Sequence, residues 1–270
     1  MKKKLIALCL VICLAAVAAI GGTLAYFTDT EQATNTMVIG NVEINIEEHV
    51  KAKNADGEYE YEPFVDDEFT LYPVASDTVF EDLNAHYNKV VRTFNTSPSG
   101  NDAYIRTIIL IEKNDALTDA FEGEGDCCVP GLHFGYFNGE KSTTVDGKTS
   151  HGVTTDLLEN TVTVDGEDYW VIVCTAMDEK AIPVGEALHS LNMVWMDKNI
   201  TSEQIAGWQT KDNDGNITDN KVSILVYSQG IQSYDLTHAE AMEALGTVNQ
   251  SLIDTLTGAT IAAENDYTNN

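Results

Sequence analysis

The sequence predicts an all-β protein built as an antiparallel sandwich, and three observations carry that prediction. Short runs of alternating apolar and polar residues recur along most of the chain, Asp-Gly pairs separate several of them, and helix signals are few and mostly late. Eight or more such runs without interleaved long helices point away from an α/β fold.

The chain begins differently. Lys2, Lys3 and Lys4 precede an unbroken apolar run from Leu5 to Ile20, and Gly21, Gly22, Thr23, Leu24 and Ala25 follow. This is the charged, apolar and small-residue order of a cleavable secretory signal over residues 1–25. The apolar run would span roughly 24 Å as a helix, short of the roughly 30 Å hydrocarbon core. Export is therefore expected rather than permanent anchoring, with no stable membrane span after cleavage. Residues 26–270 are expected to form one β-sandwich domain, with residues 26–36 a flexible amino-terminal segment and 264–270 a frayed tail.

Past the signal, residues 37–46 alternate, with Val42, Ile44 and Ile46 on one face and Asn41, Glu43 and Asn45 on the other. Residues 51–68 are acidic and tyrosine-containing around an Asp56-Gly57 turn, and read as an insertion or loop. The run 89–95 is a short strand; 103–112 is a stronger one whose density at Ile108, Ile109, Leu110 and Ile111 marks it as central in a sheet. Runs at 132–138, 162–164, 168–175, 189–196 and 221–229 continue the series. Asp146-Gly147, Asp165-Gly166 and Asp214-Gly215 supply hairpin turns. Thr237 and Glu240 form a capping box ahead of a helix that Gly246 is placed to end. Residues 202–208 read as a second short helix, and the pattern over 251–263 fits either a helix or a strand.

Without residues 1–25 the chain keeps 12 basic and 43 acidic side chains, a formal charge of −31. Nucleic acid is thereby disfavoured as a partner, since phosphates need a basic surface. An anionic membrane is disfavoured for the same reason. No cofactor is expected, and calcium only as a weak screen of the acidic surface. Of five cysteines, Cys9 and Cys13 leave with the signal. Adjacent Cys127 and Cys128 are poorly placed to bond each other. A bridge from Cys174 to either one, and a reduced Cys174 buried in its strand, both remain open.

The residues around the signal's end carry a family resemblance. Gly22-Thr23-Leu24-Ala25-Tyr26-Phe27-Thr28-Asp29, then Asn35 and Val38-Ile39-Gly40-Asn41-Val42, resemble the amino terminus of the TasA/camelysin family. Lys89-Val90-Val91-Arg92 through Asn95-Thr96, then Tyr104-Ile105-Arg106, resemble that family's strand, Asn-Thr-Gly turn and Tyr-Val-Arg strand, with the turn lengthened by Ser97-Pro98-Ser99. Residues 222–232 and the capped helix after them resemble its closing segment. The resemblance implies a jelly-roll-like sandwich, export by a Gram-positive bacterium through a SipW-type signal peptidase, and cleavage between Ala25 and Tyr26. It also implies a structural subunit of extracellular fibres or biofilm matrix, whose partners are copies of itself or related matrix subunits. Tyr26, Phe27, Thr28, Asp29 and Asn35 would then lie in a donor strand that pairs with the next subunit's sheet edge, where backbone hydrogen bonds attract without any positive charge. A tail that folds back on its own sheet is the competing reading, and a monomeric surface adhesin the competing role.

Catalysis is not expected, although camelysin-like proteins are classed as surface metallopeptidases. The histidines are His49, His86, His133, His151, His189 and His238, and none lies four residues from another as a helical zinc pair requires. No Gly-x-Ser-x-Gly elbow occurs. A Cys127 or Cys128 nucleophile needs a histidine partner that sequence alone does not place, and His133 reads as an ordinary strand residue. Asp212 to Asn216 resemble a calcium loop, but Lys221 stands where the twelfth position needs an acid. A simple turn is expected there.

Overall fold

The computed structural model describes residues 28–32, 35–37, 42–53, 59–64, 71, 73–74, 89–98, 100–117, 128–139, 142–143, 147–211, 217–219 and 222–267. The strands in chain order are β1 Thr28–Gln32, β2 Asn35–Met37, β3 Ile44–Lys53, β4 Tyr59–Pro63, β5 Pro73–Val74, β6 Lys89–Asn95, β7 Ala103–Glu112, β8 Cys128–Val129, β9 Leu132–Gly135 and β10 Ser142–Thr143. They continue as β11 Thr149–His151, β12 Val153–Leu157, β13 Val162–Val164, β14 Glu167–Ala176, β15 Ala187–Leu191, β16 Met193–Asp197, β17 Thr210–Lys211, β18 Ile217–Asp219 and β19 Ile224–Gln232. Among the described residues the α-helices are α1 Ser202–Trp208, α2 His238–Ala244 and α3 Gln250–Tyr267, with one 3-10 turn at Asp115–Leu117. Among the described residues, no helix is long and apolar enough to cross a membrane.

The first sheet runs β12-β14-β7-β19-β1-β2, with β13 also on β14, and every pairing in it is antiparallel. A second sheet runs β10-β11-β15-β6-β3-β4 and a third β5-β16-β9-β8. One core draws on all three, with Ile44 and Val91 from the second, Ile109, Ile111 and Ile172 from the first, and Phe134 and Val194 from the third. The all-β sandwich is thus the observed class. Two pairings, β11 with β15 and β16 with β5, are parallel and depart from a purely antiparallel plan.

Strand β7 shows why its apolar run is continuous. Ile109 and Ile111 enter the inter-sheet core, while Ile108 and Leu110 pack on the opposite face with Val171, Tyr227 and the α3 residues Ile253 and Leu256. Both faces are covered, so alternation with polar residues is lost. Each fully buried Ile or Leu contributes roughly 1.5–3 kcal/mol, enough to hold α3 on this face. The helical alternative at 251–263 is the observed one, and the helix continues to Tyr267, so residues 264–267 of the expected tail are helical.

Local signals read from the sequence form as expected where the structure describes them. Asp165 and Gly166 adopt φ of 52° and 93°, turning β13 into β14. Thr237 accepts from the Glu240 N–H and the Glu240 carboxylate accepts back from Thr237, and Gly246 ends the helix at φ 81°. Thr201 and Gln204 close a similar box on α1. Asn95, fully buried, pins the lengthened turn after β6 by donating to the carbonyls of Asn101 and Ile182 at 3.0 and 2.8 Å.

Three expectations need correction. Residues 51–53 and 59–63 are not loop but the end of β3 and all of β4, a hairpin in which Lys53 pairs with Tyr59. The run 189–196 is two strands in two sheets: the register breaks between His189 and Leu191, and the Asn192 N–H turns aside to the Gly135 carbonyl at 2.8 Å. The run 132–138 stops as a strand at Gly135. The Asp212 to Asn216 loop, with the Asp214-Gly215 turn, lies outside the described residues; Thr210 pairs with Asp219 on either side of it.

Candidate functional site: the amino-terminal strand and its sheet edge

The site is built on β19. Along its whole length this strand pairs with the central β7, from Ile224 opposite Ile111 to Gln232 opposite Ala103. Thr93, Thr107 and Ser228 join hydroxyls in the buried space beneath it, with the Thr93 and Ser228 oxygens 2.7 Å apart. Gly230 has no Cβ because there is no room for one: it would stand 2.9 Å from Ile44 Cγ2 and 3.1 Å from Val42 Cγ1.

On the outer face, Arg106 of β7 locks β19 to the end of α2. Its Nε donates to Gln229 Oε1 at 2.9 Å, its Nη1 to the Gly246 carbonyl at 2.7 Å, and its Nη2 to the Leu245 carbonyl at 2.8 Å and to Gln229. Burial pulls the guanidinium down to about 10, still charged at neutral pH. A cation at the negative end of the helix dipole is well placed. Arg106 and Gln229 thus tie β7, β19 and the end of α2 together.

The free side of β19 receives β1. The pairing is antiparallel and in register over five residues: Thr28 with Ile231, Asp29 with Gly230, Thr30 with Gln229, Glu31 with Ser228 and Gln32 with Tyr227. Strand β2 then doubles back, with Asn35 opposite Gln32. The expected donor-strand residues Thr28, Asp29 and Asn35 therefore lie in strands paired within the chain, whereas Ala25, Tyr26 and Phe27 lie outside the described residues. The sequence of β1 is Thr-Asp-Thr-Glu-Gln and has no apolar residue. Its main-chain ladder to β19 contributes roughly 0.5–1.5 kcal/mol net per bond.

With this geometry established, comparison with known families adds one finding. Residues 1–56 match the model of the camelysin metallo-endopeptidase family. The match covers the signal-like start, β1, β2 and β3, and supports a surface or extracellular protein. No curated protein and no solved structure matches the chain.

That family's description implies a metal, and the donors present bear on whether one fits. Among the described residues, no three His, Cys, Asp or Glu side chains are grouped to hold an ion. His151 Nε2 meets Glu186 at 2.6 Å, His189 stacks on Phe137, and His238 meets the Tyr104 ring edge. His49 meets the Tyr61 ring edge, and His86 lies outside the described residues. His133 touches Cys128 and Asp197 through opposite ring nitrogens, so one ion cannot be shared by all three. These donors do not fit a zinc centre.

The contact of His133 with Cys128 and Asp197 is the feature that sequence reasoning missed, since His133 reads there as an ordinary strand residue. Cys174 is instead the reduced core residue that one reading allowed: it is fully buried and in no disulfide, and burial pushes its thiol far up. Cys128 is likewise in no disulfide, while Cys127 lies outside the described residues.

Proposed function

We propose that this protein is a secreted structural component of an extracellular matrix and assembles into fibres by exchange of its amino-terminal strand. The observation that carries this reading is β1, a wholly polar strand whose main chain pairs with β19 over five residues. A backbone ladder does not distinguish its own β1 from that of a second copy, so the strand that closes one subunit can join two. A head-to-tail contact of this kind repeats without closing. The match over residues 1–56 supports a surface or extracellular protein; in this reading, cleavage between Ala25 and Tyr26 by a SipW-type peptidase frees the strand before assembly.

A second reading has an observation of its own. With β1 on its own β19 the sheet edge is already filled, which suits a monomeric surface adhesin. Electron microscopy of protein beginning at Tyr26, beside a version lacking residues 26–36, separates the two. Filaments that require the segment support fibre assembly. Monomers across all salt and calcium conditions would overturn it in favour of the adhesin.

A further inference from the structure

The third sheet carries a row of polar side chains on the face turned away from the core. Cys128 of β8 is the cross-strand partner of His133 of β9, and His133 is the partner of Trp195 of β16. Because side chains alternate along a strand, Leu132, Phe134, Val194 and Met196 fill the core while His133, Trp195 and Asp197 share the other face. The row is nearly closed to solvent, with Cys128 and His133 each 6% exposed and Asp197 4%.

Within it, Cys128 Sγ lies 3.1 Å from His133 Nδ1, and His133 Nε2 lies 2.7 Å from Asp197 Oδ2. Trp195 stacks flat on the imidazole at 5.1 Å and 8°. Asp197 is itself fixed: its Oδ1 accepts the Asn199 N–H at 2.7 Å, and its own N–H donates to the Gly131 carbonyl at 3.0 Å. A carboxylate only accepts, so Nε2 carries the hydrogen and the Nδ1 lone pair faces the thiol. The indole face favours the imidazolium that forms when Nδ1 takes a proton.

We infer that Cys128, His133 and Asp197 form a thiol-nucleophile site that takes acyl groups from ester or amide carbonyls. Cys128 and His133 are the reacting groups; Asp197 is a positioning residue that sets the tautomer. His133 Nδ1 removes the thiol proton and the sulfur attacks the carbonyl carbon, forming a C–S bond. The ester or amide bond then breaks, and the leaving alcohol or amine takes the proton from Nδ1. Water attacks the thioester with Nδ1 accepting its proton, the C–S bond breaks, the carboxylic acid leaves and the sulfur recovers its proton. Nothing in this sequence needs a metal or an oxidant. The site is separate from the β1 edge and independent of fibre assembly.

The test uses the full mature chain carrying Cys127→Ser and Cys174→Ser, so that Cys128 is the one remaining thiol. An ordinary thiol is almost wholly protonated at pH 6 and reacts slowly, whereas a thiol facing an imidazole lone pair hands its proton to that nitrogen as it reacts. Iodoacetamide should modify Cys128 at pH 6 at least ~10-fold faster than it modifies a model peptide thiol. A p-nitrophenyl acetate burst should leave an acetyl group on Cys128 by mass spectrometry. His133→Gln should abolish the advantage at pH 6 while leaving the melting temperature within a few degrees; should that variant fail to fold, Asp197→Asn carries the same comparison through a weakened rate. An ordinary thiol pH profile, indifference to both substitutions, or no reaction in the folded protein would overturn the inference.

Discussion

Arg106 offers the sharpest test of how β19 is held in the sheet. Its guanidinium serves three acceptors that no other described donor reaches in the same geometry, namely Gln229 Oε1 and the carbonyls of Leu245 and Gly246. Arg106→Lys keeps the charge but replaces a planar fork with a single point donor, which cannot reach a β19 side chain and two helix-end carbonyls together. About two charge-assisted bonds are lost, at roughly 1.5–3 kcal/mol each, partly recovered by relaxation, for a net loss of about 3 kcal/mol. For a chain of this size that lowers the melting temperature by roughly 6–12 °C. Urea unfolding of the chain beginning at Tyr26 measures the loss. Hydrogen exchange locates it, because the Leu245 and Gly246 amides at the end of α2 should lose protection first. A lysine variant within about 0.5 kcal/mol of the parent would refute the fork argument.

Further outcomes follow from single contacts. Gly230→Ala should destabilise by ~1–3 kcal/mol, since the new methyl meets two stiff β-branched core residues, and an unchanged urea midpoint would show that Val42 and Ile44 yield freely. The Glu240 carboxylate, held down by the backbone N–H and hydroxyl of Thr237, should titrate by NMR below its usual ~4.3. Because the folded value is the depressed one, the α2 cap persists above the unfolded value and loosens as pH falls through the folded one. Cys174, with its thiol pushed up in the apolar core, should resist alkylation until urea unfolds the chain; labelling of the native protein at Cys174 would contradict its burial.

What the sequence made legible was what short stretches decide. The buried run Ile108 to Ile111, the Asp165-Gly166 turn and the Thr237–Glu240 box each depend on residues within a few positions of one another, and each forms where its local chemistry places it. Long-range pairings were hidden. His133 and Asp197 are 64 positions apart, and Arg106 and Gln229 are 123 apart. Nothing local in either stretch announces its partner. The step from β15 to β16 was hidden for another reason: apolar residues flank Asn192 on both sides, and one hydrogen bond from its N–H marks where the chain passes into another sheet. Strand β1 has no alternation to read, because a neighbouring edge makes it a strand.

That last point bears on how the proposed strand exchange would proceed in a chain whose formal charge is −31 once residues 1–25 are removed. Two such subunits repel at a distance, yet β19 places no charged residue opposite β1. The acids of β1, Asp29 and Glu31, stand opposite Gly230 and Ser228, and none of the five β19 partners is charged. Directly opposed like charges, the arrangement that destabilises a cross-strand pair, are avoided. On the proposed exchange the brake would then be the long-range field, which salt screens over roughly 10 Å at 0.1 M. Closure of β1 on its own chain feels no repulsion between subunits. Added salt should consequently shift strands from self-pairing to exchange, raising filament growth while leaving the monomer's fold unchanged. Light scattering at fixed protein concentration follows this directly. Growth indifferent to salt from about 0.01 to 0.3 M would mean that opening of β1, rather than charge, limits assembly.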